Sequence, residues 1–337
     1  MTLQIAIIGL GQIGVSIGLA LAEKQPPVKR VGHDKEFGLA RQAEKRGALD
    51  KVSLNLHGAI DEADIVILAL PMDQVHPVLE VIAPDLRENC VIFDTSPVKS
   101  SVLGWAKELL PPNRHYIGLT PVLNGLYLQS EATGIDAARP DLFKNGLLAI
   151  VNPPGTPEAA LRLATDLAAV LGAEHMFVDP VEVDSLMAAL HILPQLMAAA
   201  LVQATIRQPG WMDGRKLTGR PFAEQTHIIG RMDKPAALAA SALQTPDNTM
   251  RVLDNLIQAL YDLRDAVQEQ QLEKLTSQLE ENYTAYLEWL GERLQGQWTV
   301  QELTSKTPMP SAGDVFGRMI GVRSKNQPKE KPKNLKR

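Results

Sequence analysis

The sequence predicts an α/β fold: a doubly wound, mostly parallel sheet followed by an all-helical region. Three observations carry that expectation. Short β-branched runs alternate with helical stretches through the first half, a glycine motif follows the first run, and the β-rich runs stop after Asp179-Pro180. Residues 3–8 are apolar and β-branched, and residues 12–24 are helical. Residues 28–33 read as the next strand, with a charged helical stretch around 37–46. Residues 65–70, Ile-Val-Ile-Leu-Ala-Leu, form a continuous apolar run, as a strand buried on both faces requires. Residues 91–94 and 116–119 add two strands, with a helix at 98–109 between them. Residues 147–151 and 175–178 add two more, flanking a helix around 157–171. From 181 to about 293 the chain is rich in Ala, Leu, Met and Gln, and residues such as Leu256, Leu260, Leu263, Val267, Leu272, Leu275 and Leu279 recur at helical spacing. Their stripe reads as a packing face or a dimer seam.

At 337 residues the chain has the length of about two domains. The expected division is 1–179, 180–296, and a basic, extended, disordered tail at 297–337. Net charge is −5, but residues 318–337 hold eight basic residues against one acid, +7, which leaves −12 on residues 1–317. A globular part of that sign repels phosphates, so nucleic acid is not an expected partner. A hydrophobic content of 45% excludes a wholly disordered chain. The single cysteine, Cys90, excludes an intramolecular disulfide framework and fits a reducing, cytoplasmic setting. No His/Asp/Glu spacing suggests a metal site. No basic segment precedes the first apolar run, so no secretory signal is expected. Residues 185–206 are long enough to cross a bilayer, yet they hold His191, Pro194, Gln195 and Gln203 and lack an aromatic belt. A buried helix, in the core or in a dimer seam, is the expectation, and no membrane contact.

Gly9-Leu10-Gly11-Gln12-Ile13-Gly14 is G-x-G-x-x-G between a strand and a helix, the context that pyrophosphate binding needs. The first glycine permits the turn, the second a close approach of phosphate, and the third tight strand–helix packing. Asp34, twenty residues after Gly14, ends the next strand, where a carboxylate can take both ribose hydroxyls and repel a 2′-phosphate. NAD is the expected cofactor, with NADP open because His33 and Lys35 flank the acid. Leu70 and Pro71 follow one strand and Thr95 and Ser96 another, at the carboxyl ends where ligand crevices form. Thr95 or Ser96 can meet the nicotinamide, and Ser96 before Pro97 also reads as a helix N-cap.

These residues, in this order, resemble the prephenate/arogenate dehydrogenase family of tyrosine biosynthesis. The similar stretches are IAIIGLGQIGVSIGLAL (5–21), ALPMDQVHPVLEVIAPDL (69–86), FDTSPVK (93–99), GIDAARPDLF (134–143) and VDSLMAALHILPQLMAAAL (183–201). The resemblance implies a Rossmann domain followed by a helical dimerisation domain, a homodimer, and a small carboxylic acid as substrate. The implied reaction is oxidative decarboxylation of a cyclohexadienol. Its site departs from the family pattern at several positions. Gly118-Leu119-Thr120-Pro121 puts Thr120 where the family carries a catalytic His. In Asp94-Thr95-Ser96-Pro97-Val98-Lys99 the family's serine position is Pro97, with Ser96 beside it. A Ser-His-Leu-Pro-His pattern appears as His191-Ile192-Leu193-Pro194-Gln195, and a Phe-Arg-Asp-x-Thr-Arg pattern as Phe222-Ala223-Glu224-Gln225-Thr226-His227. Thr120, Ser96 and His191 are therefore the catalytic candidates, and Asn124, Gln195 and His227 the substrate-binding ones. Arg220 or Arg231 can replace the missing arginines. A different substrate, a displaced catalytic group and lost catalysis all stay open. His115 is expected near a sheet edge, His33, His57 and His76 at the surface, and residues 124–140 as a lid or a packed loop.

Overall fold

A strand covered by helices on both faces needs apolar side chains at every position. Ile65–Leu68 meets this with four consecutive buried residues. In the computed structural model, which describes residues 3–24, 27–231 and 233–296, eight strands form one sheet. They are β1 (Gln4–Ile8), β2 (Lys29–His33), β3 (Lys51–Val52), β4 (Ile65–Leu68), β5 (Val91–Asp94), β6 (His115–Pro121), β7 (Leu147–Val151) and β8 (Glu174–Phe177). The order is β3-β2-β1-β4-β5-β6-β7-β8, and β6–β7 is the antiparallel pair among parallel neighbours. Beside the strands run α1 (Gln12–Ala22), α2 (Phe37–Lys45), α3 (Leu56–Ile60), α4 (Met72–Ile82), α5 (Ser100–Leu109) and α6 (Glu158–Leu171).

Alternate side chains of each strand enter opposite layers. Ile5 and Ile7 pack with Val15, Ile17 and Leu167 on one face. Ala6 and Ile8 pack with Val75, Leu79 and Val102 on the other. Chain direction across the sheet reverses at β1, which lies between β2 and β4, so the carboxyl ends of β1 and β4 open a crevice at the switch point.

Several expectations are corrected. β3 is two residues long and α3 five, too short for any hydrophobic period to announce them. The run at 65–70 leaves the sheet after Leu68. His115 opens β6, an interior strand, and is not at a sheet edge. Ser96 does not cap the next helix: α5 starts at Ser100, and Asp184 takes its first N–H groups. Of the two expectations for residues 124–140, a lid or a packed loop, the contacts of 135–139 agree with packing: Ile135 and Ala138 join the core, Arg46 binds the carbonyls of Ile135 and Ala138, and Arg139 N donates to Ser16 Oγ at 3.0 Å.

The remaining helices are α7 (Pro180–Met187), α8 (Leu193–Thr205), α9 (Trp211–Gly214), α10 (Arg220–His227), α11 (Pro235–Gln244), α12 (Pro246–Gln268) and α13 (Leu272–Gln295). The apolar stretch expected as one helix is interrupted by a π-helical segment, Ala188–Ile192, joining α7 to α8. Val183, Asp184, Ala188, Ile192, Gln195 and Ala198 bury its inner face. Residues 1–296 form one compact unit, and the expected tail at 297–337 lies outside the described residues.

Arg30 ties β2 to α1 and to the loop between α2 and β3. Its Nη1 donates to Gly18 O at 3.0 Å and Gly47 O at 2.8 Å, and its Nη2 to Asp50 Oδ1 at 2.6 Å. Burial works to raise the Asp50 carboxyl, but the bonds and charge of Arg30 outweigh it and hold it below the ordinary 3.8. Arg30→Met is expected to lower stability by about 3 kcal/mol in denaturant unfolding, because two carbonyls and a carboxylate lose their partner. The depressed carboxyl stabilises the fold above the ordinary carboxylate range and stops doing so as pH falls through its folded value. The gap in Tm between wild type and Asp50→Asn should therefore close in strong acid.

Candidate active site

At the switch point three backbone segments meet too closely for side chains. Gly9 has φ +92°, and a Cβ there would lie 2.3 Å from Ala69 O. A Cβ on Gly14 would lie 2.0 Å from Gly9 O. Gly11 differs, because a Cβ on it would meet nothing within 4 Å. Packing explains Gly9 and Gly14. Gly11 leaves open space above the first turn of α1, which has no side-chain cap. That arrangement suits a pyrophosphate resting on free N–H groups with Gln12 and Ile13 beneath it. Asp34 stands beside the loop: its Oδ2 accepts from Leu10 N at 2.8 Å and its Oδ1 from Glu36 N at 2.8 Å. Leu70 lies against Gly9, and Pro71, at the N-terminus of α4, is exposed. These residues fit a dinucleotide.

The turn after β5 is built inward. Thr95 N and Oγ1 both donate to Leu68 O, at 3.0 and 3.2 Å. Ser96 is 1% exposed and its Oγ donates to Asp94 Oδ2 at 2.9 Å. The protons of both expected nicotinamide-side hydroxyls thus serve the turn itself. Lys99, fully buried, donates from Nζ to Asp94 Oδ2 at 2.9 Å and to Ser96 O at 2.6 Å. Burial holds the Lys99 ammonium below its ordinary pKa against the pull of Asp94. Tyr116 Oη adds a bond to Asp94 Oδ2 at 3.2 Å, and burial and that carboxylate push the phenol well up. Thr120, at the end of β6, contrasts with these groups: its Oγ1 is buried without a hydrogen-bond partner.

The helical region brings His191 and Gln195 together. His191 Nε2 lies 2.8 Å from Asp233 Oδ2. Gln195 Oε1 accepts from Asp233 N at 2.8 Å, and its Nε2 donates to His191 O at 2.9 Å. Burial raises the Asp233 carboxyl, but His191 and Gln195 outweigh it, and the net shift is downward. These three residues line a cavity of about 210 Å³ with Leu190, Pro194 and Arg231. Asp233 was missed by sequence reasoning, since nothing in the chain marks an acid 42 residues from its histidine. Arg231 donates to Ser130 O at 3.0 Å and pairs with Glu131. His227 is outside this cavity, 3.9 Å from Glu131. Arg220 is exposed and paired with Glu224, so Arg231 is the arginine at the cavity. Asn124 is buried, and its side chain accepts from Leu126 N at 3.1 Å within its own loop. A smaller apolar cavity, about 90 Å³, lies at the amino ends of β1 and β4, away from the crevice.

A parallel sheet with this glycine loop at its switch point, continued by helices that supply a polar pocket, defines a dinucleotide-dependent oxidoreductase scaffold. Residues 17–177 match the model of the prephenate dehydrogenase nucleotide-binding domain, and residues 179–281 that of the prephenate dehydrogenase dimerization domain. The chain belongs to the prephenate dehydrogenase family. Prephenate dehydrogenase of Bacillus subtilis (strain 168) is 26% identical over 273 residues, 80% of this chain and 72% of that one. Cyclohexadienyl dehydrogenase of Zymomonas mobilis is 27% identical over 293 residues, 84% and 95% of the two chains. Among solved structures, prephenate dehydrogenase from Aquifex aeolicus in complex with hydroxyphenyl propionate and NAD+ superposes with a TM-score of 0.74 at 20% identity, over 86% of this chain and 98% of that one. At that identity the likeness speaks for the fold.

The glycines separate packing from binding experimentally. Gly14→Ala should destabilise the chain by about 3 kcal/mol, since helix and strand must part. Gly11→Ala should leave the Tm unchanged and weaken NAD binding by at least about tenfold, read by calorimetric titration.

Proposed function

We propose that the chain carries out NAD-dependent oxidative decarboxylation of a prephenate- or arogenate-type cyclohexadienol, with Thr120 holding the ring hydroxyl. The observation that supports this most is the buried, unpartnered Thr120 Oγ1 at the carboxyl end of β6, two strands from the switch-point strand β4. NAD+, held by the glycine loop and Asp34, would supply the acceptor for the hydride that leaves the carbinol carbon. The ring carboxylate leaves as CO2, and its bonding electron pair enters the ring, which becomes aromatic. The hydroxyl keeps its proton in the phenol product, so the site needs a group that hydrogen-bonds the oxygen more than it needs a strong base. A threonine meets that need, and removal of its hydroxyl is read as lost transition-state stabilisation.

Asp34 favours NAD over NADP because a carboxylate there repels a 2′-phosphate. Arg231 is the cation offered to a substrate carboxylate, in the cavity it shares with His191 and Gln195. The homologous Aquifex structure is described with both hydroxyphenyl propionate and NAD+, which agrees with a ring acid and this cofactor. Homodimerisation through the helical region is part of the proposal. Ile257, Leu260 and Tyr261 on α12 and Tyr286, Leu287 and Trp289 on α13 are exposed in the single chain, and such a face is buried by a second copy. A second reading rests on the His191–Asp233 pair: the ring hydroxyl, or that of another carboxylic acid, meets His191 instead of Thr120.

Purified chain with NAD should form NADH on addition of prephenate or arogenate; formation with neither overturns the proposal. Thr120→Val, which keeps shape and removes the hydroxyl, should lower kcat by about ten- to a hundredfold with NAD affinity unchanged. Full activity in that variant, with loss in His191→Ala, would transfer the role to His191.

A further inference from the structure

A closed polar cluster joins Asp94, Ser96, Lys99 and Tyr116 to Asp184, which is 3% exposed and stands on α7. Asp184 reaches across 85 residues of sequence to Lys99. Its Oδ1 accepts from Lys99 N at 2.5 Å and its Oδ2 from Ser100 N at 3.0 Å. These are the N–H groups of Lys99, the N-cap position, and of Ser100, the first residue of α5, and Lys99 itself supplies no side-chain cap. The backbone of Lys99 is thus held by Asp184 while its ammonium grips Asp94 O, Asp94 Oδ2 and Ser96 O. One residue links the helical region to the turn at 94–97. In the other direction, α7 runs into the π-helical segment that carries His191.

We propose that Asp184 is a positioning residue, which fixes the 94–97 turn against the nicotinamide half of the crevice through Lys99. This rests on reading the crevice as a dinucleotide site. A carboxylate at a helix N-terminus is held by two N–H groups and the helix dipole together. Out of water, those bonds have no solvent competitor, so the geometry they impose is kept. In a doubly wound sheet one nucleotide half lies over β1 and β2 and the other over β4 and β5. The 94–97 turn follows β5, so a disturbance there is felt by the nicotinamide end and not by the adenosine end.

NAD+ and ADP-ribose, which lacks the nicotinamide, separate this role from a purely structural one. Asp184→Asn keeps size and shape but replaces one acceptor with a donor that faces Ser100 N–H or Lys99 N–H. In the full chain its Kd for NAD+ should rise about tenfold, while that for ADP-ribose stays within about twofold. Tyr116→Phe, which deletes only one bond to Asp94, should show the same pattern at about threefold, and carries the test if the first variant does not fold. Equal weakening of both ligands, or unchanged NAD+ affinity, would overturn the positioning role and leave the crevice assignment standing. Failure of the wild-type chain to bind either ligand would overturn the crevice assignment, and this inference with it.

Discussion

The architecture depends on one close approach, where Gly9, Gly14 and Ala69 bring β1, α1 and the end of β4 together. Cβ atoms at the two glycines would stand 2.3 and 2.0 Å from backbone oxygens, well inside contact distance. Because the segments touch through backbone, α1 starts directly above the sheet with its first N–H groups turned to the crevice. The switch point then becomes a binding site without any side chain reaching for the ligand. Asp34 completes the loop by accepting from Leu10 N, so the acid is required by the turn as well as suited to a ribose.

A second constraint is electrostatic. The sheet places Asp94 and Lys99 where no water reaches, and a buried ion pair is tolerable only when its remaining bonding capacity is filled. Here Ser96, Tyr116 and two carbonyls fill it. The result is a rigid floor whose polar groups face one another, with Thr120 Oγ1 left unmatched nearby on β6. The same logic holds His191, whose Asp233 and Gln195 partners orient the ring within a cavity that is otherwise apolar on the Leu190, Pro194 and Ile228 side.

Much of the frame was legible because it is local. The glycine spacing is set by contacts around one strand–turn–helix unit, and the turn between β1 and α1 falls where the chain alone implied. The two-residue β3 and the true start of α5 were not legible. β3 exists because β2 offers an edge, and α5 starts at Ser100 because Asp184, far along the chain, receives its N–H groups. Ser96 shows the limit best: as a sequence it reads as a helix cap or a ligand contact, while in the fold its hydroxyl serves Asp94.

The sequence by itself determined the doubly wound sheet, the position of the glycine loop between β1 and α1, and the shift to helices after Asp179. Periodicity, glycine spacing and motif order are written along the chain. Only the tertiary structure decided which polar groups meet: Asp233 with His191, Asp184 with the start of α5, and Arg231 rather than Arg220 at the cavity. Partners separated by 42 or 85 residues are chosen by how helices pack on the sheet, and a short stretch of sequence holds no record of that choice. The charge split of the chain follows the same division, since a net −12 over residues 1–317 tells nothing of where one arginine stands.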